Sequence, residues 1–405
     1  MSRCISVDAD TFARDHWDRR PLLSRSTALP RDFGDLLAPA DVDELIAERG
    51  VRTPFLRMAR DGGLLGRDCY SGPAGFGAEM PDQVDSAKVL TEFAAGATIV
   101  LQGLHRLWPP IIGFARGMVD DLGHPVQTNA YITPATNRGF DPHYDVHDVF
   151  VLQIAGRKHW TVHEPVHTDP LTSQPWTDHR AAIGRRVLDD PVIDTVIEPG
   201  DALYLPRGWI HSAKALGDTS IHLTVGVAAV TGHDVLRALV DELGAVDDLR
   251  SSLPMGVDLT DRDETTAIVA KTMAALTTLL AERDSELGES VAARMTARHA
   301  DRTRPAPVRP LATVDAITAL DVDSHLRLRH GLIATVRPAG TRIELVLADR
   351  TMGFPGFCAD AVAAVQQGTV VAAGRLPGLD TADSLVLSRR LLREAVVVPV
   401  AESRG

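Results

Sequence analysis

Lysine is almost missing from this chain. Of its 42 basic side chains only Lys88, Lys158, Lys214 and Lys271 are lysine, and arginine supplies the rest. Cysteine is scarce too. Cys4, Cys69 and Cys358 are far apart and odd in number, which excludes a disulfide framework and a CxxC metal knuckle and points to a reducing, cytoplasmic setting. No uninterrupted apolar run reaches about 18 residues, so no membrane-spanning helix is expected. The opening stretch MSRCISVDADTFARDHW has no apolar core behind a basic start and does not read as a secretory signal. A basic surplus is also missing. The net charge is −12, from 54 acidic and 42 basic groups, which argues against generic nucleic-acid binding. What remains is an ordinary globular composition, 44% hydrophobic and 24% charged over 405 residues, with room for about two to three domains.

The pattern changes twice along the chain. The first 60 or so residues read as short helices, with Asp41 as a cap and Gly50 as a stop, and residues 62–76 read as a glycine-rich loop. From ATIVLQGL onward the chain reads as short β-branched strands: QTNAYITP, HYDVHDVFVLQIAG, KHWTVHEP, DTVIEPGD, ALYLP and SIHLTVGVAAV. A helix opened by Pro109 and Pro110 interrupts them. These runs predict an antiparallel barrel or sandwich over 1–232. Residues 233–304 are helical, with apolar residues at three- and four-residue steps. After the linker DRTRPAPVRP, residues 311–405 mix helices and strands in an α+β module of winged-helix size. Residues 306–405 carry eleven arginines against ten acids, too balanced for a phosphate-binding face.

The chemistry concentrates in His143-Tyr144-Asp145. In a strand, residues two apart share a face, so an imidazole and a carboxylate there can reach one ion. Downstream, Pro199-Gly200-Asp201 turns the chain into a short strand, and Pro206 and Gly208 shape a bend that ends at His211. Such a bend can deliver a third ligand. Two imidazoles and one carboxylate leave three positions open on an octahedral ion, the facial triad of non-haem Fe(II) oxygenases. His147 shares the face but lies farther along the strand. His159, His163 and His167 follow no HExxH or zinc-finger spacing and read as ordinary surface or core histidines. Trp160 and Trp209 read as barrel-wall packing.

Gly200-(five residues)-Pro206-Arg207-Gly208-(two residues)-His211 resembles the second cupin motif, with Ala215 where that family has an Asn. At the first motif Asp145 stands for the second His, and no Glu follows. This departure moves the resemblance to the HxD…H oxygenases. Residues 88–226 resemble the JmjC-type cupins related to the ribosomal oxygenases, through ATIVLQGLH, PVQTNAYITP, GFDPHYDVHDVFVLQIAGRKHW and PGDALYLPRGWIH. The resemblance implies a double-stranded β-helix preceded by helices, then a helical dimerisation segment and a winged-helix-like module. It implies Fe(II), 2-oxoglutarate and O2, and hydroxylation of an amino-acid side chain in a protein or peptide, with ribosomal proteins the first to inspect.

The resemblance assigns the far carboxylate of 2-oxoglutarate to Lys158, beyond the turn Ala155-Gly156-Arg157, and to the phenol of Tyr131. Composition adds weight, because a lysine stands beside Arg157 in a chain that prefers arginine. Asn129, on the face of Tyr131, and Thr224, on the last barrel strand, are further cosubstrate candidates. Arg138 and residues 62–86 are candidates for the substrate mouth. Two alternatives stay open: the same chemistry on a small molecule or an N-methyl group, and a non-catalytic cupin whose metal is structural.

Overall fold

The structure is a computed structural model that describes residues 1–60, 62–77, 79–135 and 141–400. It divides into two compact units, Met1–Ala229 and Val230–Gly405. Arg138 lies outside the described residues.

The first unit holds helices α1 (Ala9–Asp15), α2 (Pro39–Ala47), α3 (Ser86–Ala94), α4 (Leu104–Leu107), α5 (Pro109–Leu122) and α6 (Arg180–Arg186). Its strands are β1 (Leu22–Ser24), β2 (Leu56–Arg60), β3 (Gly63–Leu64), β4 (Ser71–Gly72), β5 (Gln83–Val84), β6 (Thr98–Leu101), β7 (Val126–Thr133), β8 (Asp148–Ala155), β9 (Lys158–His163), β10 (Ile193–Ile197), β11 (Ala202–Leu205), β12 (Ile210–Ala215) and β13 (Ser220–Val227). A large antiparallel sheet runs β1-β11-β8-β13-β7-β6-β2-β3, and a small one runs β10-β9-β12. The glycine-rich stretch read as a loop carries the two-residue strands β3 and β4. Pro109 opens α5 because its missing N–H would have been unpaired there, and Gly123 closes it at φ 69°.

The apolar run VFVLQI in β8 has no polar alternation because both faces of the large sheet are covered. On one face Phe150 and Leu152 pack with Tyr204, Val225, the helical residues Phe12 and Ile111, and Leu37 just before α2. On the other, Val149, Val151, Leu203 and Leu205 meet Trp160, Val162 and Ile197 of the small sheet. The chain crosses between sheets at the β8–β9 hairpin. Gly156 makes that turn at φ 61°, and a Cβ there would come 2.3 Å from the Thr219 carbonyl oxygen.

The sequence suggested one strand from His143 to Ala155. In the structure regular pairing begins at Asp148, and His143 joins His211 through a single antiparallel bridge. Pro142 carries no N–H for a ladder, and the bend opposite sends the Gly208 N–H to the Asp145 carbonyl at 3.0 Å. Alternation survives all the same. Tyr144 is buried against Ile183 and Ile210, so its two neighbours point the other way.

The second unit opens with α7 (Gly232–Leu243), α8 (Asp247–Arg250), α9 (Arg262–Glu282) and α10 (Asp284–Thr303), the long helical reading breaking at Arg283. After 304–309 come α11 (Pro310–Thr318), β14 (His325–Leu328), β15 (Ala334–Ala339), β16 (Arg342–Leu347), β17 (Thr351–Pro355), α12 (Ala359–Gln366), β18 (Val371–Ala372), α13 (Thr381–Arg393) and β19 (Val397–Pro399). The strands form sheets β18-β14-β19 and β15-β16-β17 around a core that includes Leu326, Leu345, Phe354, Val362 and Leu391. No helix among the described residues is long and apolar enough to cross a membrane.

Candidate metal centre

His143, Asp145 and His211 converge, and one donor atom from each lies within 4.8 Å of the others. Asp145 Oδ2 is 3.7 Å from His211 Nε2, and the two imidazole centroids are 4.6 Å apart. Backbone pairing sets this closeness: His211 N–H donates to the His143 carbonyl at 2.8 Å and His143 N–H to the His211 carbonyl at 3.2 Å. Each ring is then oriented by a carbonyl. His143 Nδ1 faces the Asp141 carbonyl at 2.7 Å, and His211 Nδ1 faces the Trp209 carbonyl at 3.0 Å. A carbonyl only accepts, so Nδ1 carries the proton in both rings and Nε2 keeps a lone pair for a metal.

The charges suit a cation. Burial, joined by the neighbouring His143, pushes His211 down to about 4, so it is neutral at pH 7. Burial pushes the Asp145 carboxyl upward, but His147, His211 and His143 around it outweigh that and hold it below the usual range. His147 stays out of the cluster. Its ring packs on Gly226, where a Cβ would come within 2.6 Å of Cδ2. His159 pairs with Asp194 at 2.5 Å, His163 is buried, and His167 meets Gln174 Oε1 at 3.2 Å.

A cavity of about 380 Å³ between the sheets joins the three side chains to Lys158, Tyr131, Thr224 and Trp160. Lys158 is 2% exposed, and its Nζ donates to Thr133 Oγ1 and His222 Nδ1, both at 3.0 Å. An ammonium has three donors, so two are used and one remains. No carboxylate neutralises it among the described residues, and burial drives it down to about 7. His222 is pushed well below its ordinary value by burial and by Lys158 beside it. It stacks on Tyr131, with centroids 5.1 Å apart and planes at 3°. Burial, with Asp145 beyond, raises Tyr131, whose phenol is hydrogen-bonded to Arg57.

Asn129 shares the β7 face with Tyr131 but does not line the cavity; its Oδ1 accepts the Gly103 N–H at 3.0 Å. Of the expected mouth, Gly62 lines the cavity. The sequence reading passed over His222 and Thr133. Both were within reach of the period-two rule, since His222 precedes Thr224 by two and Thr133 follows Tyr131 by two. It also passed over Arg57, which no local signal marks, and over Trp176 and Arg180 in the insertion between β9 and β10. Trp176 lies 6.0 Å from the His143 ring, and Arg180 sits over its indole at 4.6 Å.

Comparison with known proteins gives a consistent picture. Residues 113–235 match the model of the JmjC domain. Ribosomal oxygenase 1 of Rattus norvegicus is 37% identical over 225 residues, and that of Gallus gallus is 30% identical over 224; each match covers 53% of this chain and 34% of the relative. The bifunctional lysine-specific demethylase and histidyl-hydroxylase NO66 of Drosophila persimilis is 30% identical over 239 residues, covering 53% and 29%. The chain thus spans about a third of the length of these curated relatives. The crystal structure of Escherichia coli ribosomal oxygenase YcfD superposes with TM-score 0.56 at 18% identity, over 99% of this chain and 100% of that one. YcfD in complex with cobalt and 2-oxoglutarate superposes with TM-score 0.54 at 18% identity, over 98% and 99%. Residues 113–235 are thus similar to a JmjC domain, and the chain has the fold seen in YcfD.

Proposed function

We propose that the chain is an Fe(II)- and 2-oxoglutarate-dependent oxygenase that hydroxylates an amino-acid side chain in a protein or peptide. One observation carries this reading: a buried ammonium without a carboxylate partner among the described residues shares a cavity with a His/Asp/His cluster whose imidazoles turn Nδ1 to backbone carbonyls. A structural metal would need the three ligands but gives no role to a desolvated cation. Fe(II) fits the donor set, two neutral nitrogens and one anionic oxygen. The YcfD complex with cobalt and 2-oxoglutarate and the histidyl-hydroxylase relative support the same chemistry.

His143, Asp145 and His211 would hold the metal. Lys158 would anchor the far carboxylate of 2-oxoglutarate, with Tyr131 beside it and Thr224 farther along the wall. With O2, the metal and keto acid supply an oxidant strong enough for a C–H bond, releasing CO2 and succinate. The protein's own work is positional. Thr133 and His222 fix the ammonium, the carbonyls of Asp141 and Trp209 fix the imidazoles, and Trp160 helps keep the cavity dry. Asn129, bonded to Gly103, would act only by supporting the Tyr131 strand.

The substrate is read as a protein, with ribosomal proteins first to inspect because the relatives are named ribosomal oxygenases. A cytoplasmic site of action agrees with three free cysteines. Nucleic acid is not expected as a direct partner, given the charge balance of residues 306–405. The test is mass spectrometry of cellular proteins with and without the gene. A gain of one oxygen on a defined residue, with succinate formed by the purified protein, is expected. Absence of 2-oxoglutarate turnover with Fe(II) and a full peptide pool contradicts the reading.

A further inference from the structure

Sheet register places an arginine opposite the cosubstrate wall. His222 pairs with Tyr131 across β13–β7, Tyr131 with Val100 across β7–β6, and Val100 with Arg57 across β6–β2. Paired residues of an antiparallel sheet share a face, so His222, Tyr131, Val100 and Arg57 form one inward row. Val100 is short, and the Arg57 guanidinium extends across it to the Tyr131 phenol. Arg57 lines the cavity, forms no ion pair with a described carboxylate, and its Nε is buried without a hydrogen-bond partner. A guanidinium has five donors in a fixed fork, and one phenol oxygen does not satisfy them.

Charge bookkeeping says what Arg57 is for. With the metal, 2-oxoglutarate, Asp145 and Lys158 in place, the formal charges at the reacting centre cancel. Arg57 then faces the remaining space as a cation, and Arg180 adds a second at the rim over Trp176. We propose that Arg57 is a specificity-determining residue. It admits a substrate side chain that accepts hydrogen bonds and carries no positive charge, such as a carboxylate, a carboxamide or a neutral imidazole, and it rejects arginine and lysine. This rests on the oxygenase reading for which site is filled, but the preference follows from the cavity alone. A cation brought beside Arg57 meets like charge in a partly desolvated space, and an acceptor there uses donors that are otherwise unmet.

The test uses a peptide library randomised at one central position, read in two ways. In the first, the wild-type chain with Fe(II) and 2-oxoglutarate is incubated with the library and oxygen gain is scored by central residue. In the second, the library is passed over the immobilised metal-free chain and retention is scored. Peptides centred on Asp, Asn, Glu, Gln or His are expected to exceed those centred on Arg or Lys by about tenfold or more in both. Arg57→Glu is expected to reverse the order, and Arg57→Gln to flatten it, with thermal melting checking that each variant folds. Equal retention across central residues, enrichment of arginine or lysine by the wild type, or an Arg57→Glu variant with unchanged order overturns the proposal. Failure of 2-oxoglutarate turnover with a retained bias sinks the oxygenase reading and leaves Arg57 as a selector; turnover without bias does the reverse.

Discussion

At the scale of single residues, Lys158 decides how the site responds to pH. Its folded value lies near 7, well below an ordinary lysine, because burial disfavours the ammonium. A bound carboxylate needs that ammonium. Below pH 7 the empty site is already protonated and binding is independent of pH. Above pH 7 binding must take up a proton, so affinity for 2-oxoglutarate is predicted to fall by up to about tenfold per pH unit. Calorimetric titration between pH 6 and 9 measures this, and a flat profile rules it out. The triad gives the second prediction. His143→Ala or Asp145→Ala is expected to abolish both metal retention and succinate formation; full turnover in either variant is incompatible with the proposed ligand set. Much at this scale was legible. His143, Asp145 and His211 follow from HxD and the Pro-x-Gly bend, and Lys158 from the resemblance to the JmjC-type cupins, with the rarity of lysine adding weight. Arg57 was not legible, because only two successive strand pairings, through Val100, connect it to Tyr131.

At the scale of elements, the β8–β9 turn carries Lys158 into the cavity, and Gly156 is its constraint. At φ 61° a Cβ would collide with backbone of Thr219 and Ser220, which cannot swing aside. Gly156→Ala is predicted to cost more than about 2 kcal/mol, the left-handed penalty plus the clash, and to weaken 2-oxoglutarate binding with it. Gly123→Ala is the control: φ is 69° but nothing lies within 4 Å, so about 1–2 kcal/mol is expected. Thermal melting that shows equal losses removes the argument from contact. The same elements show where strand reading runs out. Periodicity gave β7, β9, β11 and β13, but extended β8 back to His143. Alternation reports which face a side chain takes. It is silent on whether a ladder partner exists, and here Pro142 and the bend at Gly208 remove the ladder while leaving the alternation intact.

At the scale of the molecule, the helical segment of the second unit leaves apolar surface uncovered. In α7 Leu236 is 60% exposed and Val240 65%, and no residue of α9 is buried although Val269 and Met273 are apolar. Helices in water keep such faces only when something covers them. The proposed cover is a second copy of the chain, as the resemblance to the ribosomal oxygenases implies. Light scattering at micromolar concentration is predicted to give twice the 43.6 kDa chain mass, and Leu236→Glu with Val240→Glu to shift it toward the monomer. A clean wild-type monomer contradicts the dimer.

The central claim is that two imidazoles and a carboxylate bind iron in a cavity where Lys158 receives the keto acid. Anaerobic titration of Fe(II) and then 2-oxoglutarate into the full chain, followed by the visible charge-transfer absorption of the iron–keto-acid chelate, tests it most directly. One equivalent of each is predicted to give the band, Asp145→Ala to lose it, and Lys158→Met to need about 30-fold or more 2-oxoglutarate, the cost of leaving a buried carboxylate unpaired. A band of full intensity in Asp145→Ala, or an unchanged 2-oxoglutarate requirement in Lys158→Met, contradicts the account.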